Sequence, residues 1–242
     1  MDMKSYQFDY FQYKNKITKH KNFAIIPLVI AICLLSILCV VLKPKNQIKT
    51  QFFLVEIDNF STYKDALVLA QEVQNLGAAG YIHFDGSYHV FASVYLNEKD
   101  AKTVSSNIVD DYNSVSIFSF AAKKELDTSN LSSEQKETAQ NYVNFCFKSI
   151  CEISELIVSF DKKEIDETNL KNRLKTYEKD AKKHNENLLS SLSKNPKFNT
   201  IKETSQDIYL SFKELSEFTN SSNLKYTLIK LVISYCSFVE SF

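Results

Sequence analysis

The chain has 242 residues, of which 44% are hydrophobic and 24% charged, with no net formal charge. It is long enough for one or two small domains and too apolar to be disordered throughout. Residues 1–49 carry eight lysines against two acidic residues, whereas residues 50–122 carry three lysines against nine acidic residues. Phosphate contacts need lysine and arginine, so the acidic middle segment and the single arginine, Arg173, argue against a nucleic-acid partner.

A stretch of twenty uncharged residues, 23–42, follows a basic tail at residues 1–22. As a helix it would span about 30 Å, the thickness of a bilayer core. It is too long for a signal peptide, and no small-residue cleavage site follows it. We therefore predict one transmembrane helix at residues 23–42 and a linker at 43–50. The lysine excess predicts a single-pass cell-membrane protein with a cytoplasmic N-terminus and extracytoplasmic C-terminal domains.

From Phe52 onward, apolar residues alternate in the pattern of a strand. One face of this strand, the Phe53 face, carries Phe53, Val55 and Ile57. The other face, the Phe52 face, carries Phe52, Leu54 and Glu56. Asp58 and Asn59 are expected to end the strand.

The following residues predict a helix from Ser61 or Thr62 to about residue 76, stopped by Gly77, and a second helix at residues 97–108. Strands are predicted at residues 81–84, 88–95 and 115–120, the first two joined at Asp85-Gly86. The order βαββαβ predicts an α+β fold with a four-stranded antiparallel sheet and two helices on one face.

Four features of this segment resemble one family. Residues 55–60 (VEIDNF) are similar to the strand signature V-Q-V-G-S-F, and residues 86–90 (GSYHV) to the hairpin motif G-x-Y-R-V. Ala66, with residues 76–81, resembles that family's first helix and "GY" turn, and Ala101 matches its second helix. Residues 51–120 therefore resemble the SPOR domain, a peptidoglycan-binding module of bacterial envelope proteins, and we predict a SPOR-like domain at residues 51–122.

The resemblance implies that glycan strands stripped of peptides bind the Phe52 face, which the two helices leave uncovered. The positions that would bind the glycan are Glu56, Asn59, Ser87 and His89, with Phe91 stacking on a sugar ring. The family usually has glutamine in place of Glu56 and arginine in place of His89, so hydrogen-bond donors are lost at both. Alternatively, the apolar Phe52 face, with Phe91 and Phe118, is covered by the C-terminal helices or by a protein partner.

Neither the cysteines nor the histidines form a metal-binding motif. The five cysteines show no CxxC spacing. His83 and His89 flank the Asp85 turn: a two-residue loop would place them on opposite faces of the sheet, and a three-residue loop on the same face. We interpret both as solvated histidines and predict no metal and no cofactor.

Residues 130–242 contain four segments in which apolar residues recur at spacings of four and three. They are Ala139, Val143, Cys146, Ile150, Ile153, Ile157 and Phe160; Leu170, Leu174, Tyr177, Ala181, His184, Leu188 and Leu192; Ile208, Phe212 and Leu215; and Leu224, Leu228, Leu231, Tyr235 and Phe238. Short polar turns between them predict an up-down four-helix bundle that is available to dock a protein partner.

The chain contains no phosphate-binding glycine loop, no HExxH and no G-x-S-x-G motif, which indicates a non-catalytic protein. We expect an envelope protein, anchored in the lipid bilayer, whose SPOR-like domain binds peptidoglycan glycan strands in cell division or spore formation. The alternative is an interaction protein whose SPOR-like fold has lost glycan binding and whose bundle docks a partner.

Overall fold

The structure is a computed structural model that describes residues 50–109, 112, 114–122, 126, 128–192 and 196–242. These residues contain four strands: β1 (Thr50–Phe60), β2 (Tyr81–Phe84), β3 (Tyr88–Tyr95) and β4 (Ser116–Ala122). They also contain six α-helices: α1 (Tyr63–Asn75), α2 (Glu98–Ile108), α3 (Ser133–Asp161), α4 (Glu167–Ser191), α5 (Asn199–Ser216) and α6 (Ser221–Glu240). The predicted α+β class and the βαββαβ order are confirmed.

The predicted tail at residues 1–22, the predicted transmembrane helix at 23–42 and linker residues 43–49 lie outside the described residues. Within the described part of the chain, no helix is both long and apolar enough to cross a membrane.

The four strands form one antiparallel sheet in the order β2-β3-β1-β4, which places β1 and β3 at its centre. The prediction that Asp58 and Asn59 end the first strand is wrong, because β1 continues to Phe60. Register shifts on either side of Glu56 form a bulge, after which Asn59 pairs with His89. A bulge accommodates an extra residue without ending the pairing, and the Asp58 carboxylate accepts the Asn59 N–H at 2.8 Å.

Helices α1 and α2 pack on the Phe53 face of the sheet. Ala66, Ala70 and Val73 of α1 are buried against β-strand residues such as Ile57 and Val90. Each helix begins with a side-chain cap: Thr62 Oγ1 accepts the Asp65 N–H at 3.3 Å, and Asn97 Oδ1 accepts the Asp100 N–H at 2.9 Å.

Helices α3 to α6 form the bundle, in which consecutive helices are neighbours and α3 also packs against α6. A capping box starts α3: Ser132 Oγ accepts the Gln135 N–H, and the Gln135 side chain accepts the Ser132 N–H. Most residues of the predicted apolar rows are buried, including Cys146, Leu174 and Phe212. Tyr177 and His184 are only half-buried.

Helix α6 joins the bundle to the sheet, because it is apolar on more than one side and lies across the Phe52 face. The ring of Tyr226 meets Tyr81 of β2 at a centroid distance of 4.9 Å. At the start of α6, Ser222 Oγ donates to the Ala78 carbonyl oxygen at 2.6 Å, and Lys225 Nζ donates to that of Gly77 at 3.1 Å.

Aromatic contacts made by β1 also connect the sheet to the bundle. Phe52 meets the rings of Phe147 of α3 and Tyr235 of α6, at centroid distances of 6.4 and 6.1 Å. The predicted SPOR-like segment, residues 51–122, and the bundle, residues 130–242, therefore share one hydrophobic core. Much of the Phe52 face is covered by the chain's own helices.

Candidate functional site

The residues predicted to bind glycan lie together at the hairpin end of the Phe52 face, which is the end nearest the β2–β3 turn. The bulged register of β1 places Glu56 opposite Phe91 and Asn59 opposite His89. Ser87 is the last residue of the turn before β3. The five side chains thus come from two central strands and the turn that precedes one of them.

A hydrogen-bonded chain connects three of these residues to two others. His89 Nδ1 lies 2.6 Å from Glu56 Oε1, and His89 Nε2 lies 2.7 Å from Asp85 Oδ1 and 2.9 Å from Ser87 Oγ. On β4, Ser116 Oγ donates to Glu56 Oε2 at 2.6 Å. We call Glu56, Asp85, Ser87, His89 and Ser116 the His89 network; it ties β1, β3, β4 and the hairpin turn together.

Both ring nitrogens of His89 face a carboxylate, so the ring can donate a hydrogen bond to each carboxylate only when both nitrogens carry a proton. Burial alone would lower the pKa of His89, but the hydrogen bonds to Glu56 and Asp85 raise it above its ordinary 6.5. The hydrogen bond from His89 lowers the pKa of Asp85 below its ordinary 3.8. When His89 is protonated, the network places an imidazolium between the side chains of Glu56 and Asp85.

Phe91 lies below the surface of this site. It is 0% exposed, and its ring stacks on that of His89 at a centroid distance of 6.1 Å and an interplanar angle of 8°. The ring of Phe118 packs against it at 5.6 Å. Phe91 therefore serves as a core residue in this arrangement, whereas Asn59 is exposed at the surface.

The three-residue turn at residues 85–87 determines where the two histidines of the hairpin lie. His83 pairs directly with His89, so both project from the Phe52 face. Their interpretation as solvated histidines is wrong for His89, which is buried in the network. Burial lowers the pKa of His83. Within the described residues, no group of three or more His, Cys, Asp or Glu side chains is arranged to hold a metal ion.

Sequence reasoning missed Asp85 and Ser116 as members of the site. Asp85 could have been found from its position, since it lies four residues before His89 across a turn. For Ser116 the sequence offered only its place near the start of a strand. Positions 56 and 89 carried a clearer signal. They place an acid and a base where the SPOR motifs that this segment resembles have two donor-bearing residues, and an acid opposite a base is the pattern of an ion pair between neighbouring strands.

Ser87, His89 and Glu56 follow one another in the order of a serine–histidine–acid triad. While the ring of His89 is protonated, Asp85 Oδ1 opposes that chemistry, because it holds a proton on the nitrogen that would have to accept one from Ser87. The arrangement is thus suited to fixing the turn and to exchanging hydrogen-bond partners.

Two cysteines of the bundle are buried thiols. Burial raises the pKa of Cys146 and raises that of Cys236 to about 12. A thiol that keeps its proton is a poor nucleophile and a poor metal ligand, so these side chains pack as small apolar residues.

No family model, curated protein or solved structure matches this chain. The resemblance to the SPOR domain accordingly rests on the motifs between residues 55 and 101.

Proposed function

We propose that the protein is a membrane-anchored, non-catalytic interaction protein, in which a SPOR-like sheet supports the chain's own helical bundle and the combined surface docks a protein partner. The observation that supports this most directly is the burial of the Phe52 face. Phe52, Leu54 and Phe91 are each 0% exposed, so the apolar surface that would meet a sugar ring is already occupied.

Exposed aromatic side chains offer a place for the partner to dock. Tyr63 at the start of α1 and Phe84 at the end of β2 are 53% and 59% exposed. Both contact the ring of Tyr88, at centroid distances of 5.7 and 4.6 Å. We call these three rings the Tyr88 patch. Aromatic residues are enriched at the centres of protein interfaces, and a surface cluster of them favours partner binding.

Site-specific photo-crosslinking in intact cells tests this proposal. A photoreactive residue at position 84 should give one discrete adduct, which Tyr63→Asp should reduce by placing a charge in the Tyr88 patch. Val158 is an exposed apolar residue on α3 and provides the matched control position. Equal labelling from positions 84 and 158, or none from either, would count against the proposal.

Glycan binding remains the second candidate, because polar groups at the hairpin end are accessible. Asn59 is exposed, and the Asp85 side chain is 43% exposed. Co-sedimentation of the full-length protein with purified cell-wall sacculi, intact or stripped of peptides, separates the two candidates. The interaction proposal predicts no binding. Binding that Asn59→Ala and Asp85→Ala abolish, but Glu98→Gln on α2 leaves unchanged, would establish the glycan candidate instead.

A further inference from the structure

We propose that His89 is a protonation switch for the β2–β3 turn: the imidazolium holds both Asp85 and Glu56, and the neutral ring releases Asp85 and binds the Ser87 hydroxyl. The geometry for both states is already in place, since Nε2 lies 2.7 Å from Asp85 Oδ1 and 2.9 Å from Ser87 Oγ. This inference does not depend on which partner or glycan the protein binds.

The titratable groups that face His89 come from three elements. Glu56 belongs to β1, Asp85 to the turn, and His83 to β2 as the direct cross-strand partner of His89. From β3 and β4, the neighbouring rings are those of Phe91 and Phe118, which carry no charge. Burial lowers the pKa of His89, but the hydrogen bonds to the two carboxylates outweigh burial and stabilise the imidazolium.

A neutral imidazole has one N–H, so it can donate to one carboxylate and leaves a lone pair facing the other. The two carboxylates are not equivalent. The Glu56 side chain is 7% exposed and its second oxygen accepts from Ser116, whereas the Asp85 side chain is 43% exposed. Moving a buried carboxylate away from its donors is costly, but Asp85 can turn into water. The proton therefore stays on Nδ1, and Asp85 is the group released.

Nε2 then becomes an acceptor, and the nearby Ser87 hydroxyl can donate to it without a large movement. His89 Nε2 thus exchanges a charged contact with Asp85 for a neutral hydrogen bond with Ser87. Phe84 immediately precedes the turn and Asn59 pairs with His89, so both lie next to the group that moves. The surface at the hairpin end is consequently presented in two forms, depending on pH.

The test is a pH titration by NMR of the full-length protein in detergent micelles, labelled at histidine side chains and at the backbone. Single His→Gln variants assign the four histidines. We expect His89 to titrate above 6.5 with Nδ1 protonated in its neutral form. The backbone amides of Gly86 and Ser87 should shift with the same midpoint. Asp85→Asn should lower that midpoint and reduce the shift of the turn amides.

Glu98→Gln is the matched control, because it removes an exposed carboxylate that pairs with Lys102 on α2 and should leave the midpoint unchanged. Three results would overturn the switch: titration of His89 below 6.5, turn amides that do not follow His89, or a neutral His89 protonated on Nε2. An unchanged midpoint in Asp85→Asn would show that the exposed carboxylate takes no part, which also overturns it.

Discussion

The ring of Tyr235 on α6 meets that of Phe52 on β1 edge to face, with an interplanar angle of 88°. This contact joins the last helix of the bundle to a central strand of the sheet. Because both side chains belong to one hydrophobic core, the sheet and the bundle are expected to unfold together rather than as independent domains.

Phe52→Ala tests this coupling. Removing a fully buried phenylalanine leaves a cavity between sheet and bundle, so we expect a loss of about 3–5 kcal/mol in the free energy of unfolding. Urea unfolding of residues 48–242, followed by far-UV circular dichroism and by tyrosine fluorescence, should give coincident transitions at a lower midpoint. Val158→Ala, at an exposed site on α3, should change stability by less than about 0.5 kcal/mol. Two separated transitions would contradict the shared core.

Glu56→Gln should change how stability depends on pH. The pKa of His89 is raised in the folded protein, so its ion pairs stabilise the fold fully below pH 6.5 and are lost as pH rises through the raised value. The pKa of Asp85 is lowered, so its contribution is present above pH 3.8 and is lost as pH falls through the lowered value. Removing the Glu56 charge should lower the free energy of unfolding by about 1–3 kcal/mol between pH 3.8 and pH 6.5. It should also flatten the decline in stability above pH 6.5. Urea unfolding across the pH range measures both effects, and an unchanged pH profile would contradict them.

Two glycines that precede β2 provide a matched pair. Gly77 and Gly80 both have positive φ angles, of 86° and 58°. An added Cβ at Gly77 meets nothing within 4 Å, whereas at Gly80 it would clash with the Ala70 carbonyl oxygen of α1. We expect Gly77→Ala to cost about 1–2 kcal/mol from backbone strain alone and Gly80→Ala at least about 3 kcal/mol. Thermal unfolding of the two variants measures the difference, and equal costs would show that α1 yields at this contact.

While His89 is protonated on both ring nitrogens, Ser87 should show no hydrolytic activity despite its position next to His89. The imidazolium cannot accept the serine proton while Asp85 holds Nε2–H. At a pH below 6.5, where His89 is protonated, wild-type protein and Ser87→Ala should therefore hydrolyse an activated ester such as p-nitrophenyl acetate at the same rate. A burst of nitrophenol from the wild type alone would indicate an acyl-enzyme and refute the non-catalytic proposal.

Local sequence patterns predicted the strands and helices well, because alternation and caps are short-range properties. They left open whether the C-terminal helices or a protein partner cover the Phe52 face, and they did not identify α6 as the helix that covers it. The spacing from Leu224 to Phe238 identified one apolar row, but a further row is also buried, formed by Ile229, Val232, Cys236 and Val239. A helix with two apolar rows needs two packing partners, and its sequence does not identify the second one, which is the sheet.

Only part of the site could be predicted, for a similar reason. The resemblance to SPOR motifs predicted that Glu56, Ser87 and His89 lie at one end of the sheet, but their roles follow from the bulge and the turn. A one-residue difference in either would change which side chains meet across the strands. The bulge and the three-residue turn align Glu56, His89 and Asp85 as an ion-paired network, which no single segment of the sequence encodes.

The order in which the elements are made places a demand on the cell. The Phe52 face is synthesised early, whereas α6, which covers it, leaves the ribosome after every other described element. Until then, a nascent chain displays the aromatic surface around Phe52 and Phe91, a kind of surface that promotes aggregation. Its biogenesis should therefore depend on a holding chaperone, and ribosomes stalled before α6 should yield chains that such a chaperone retains.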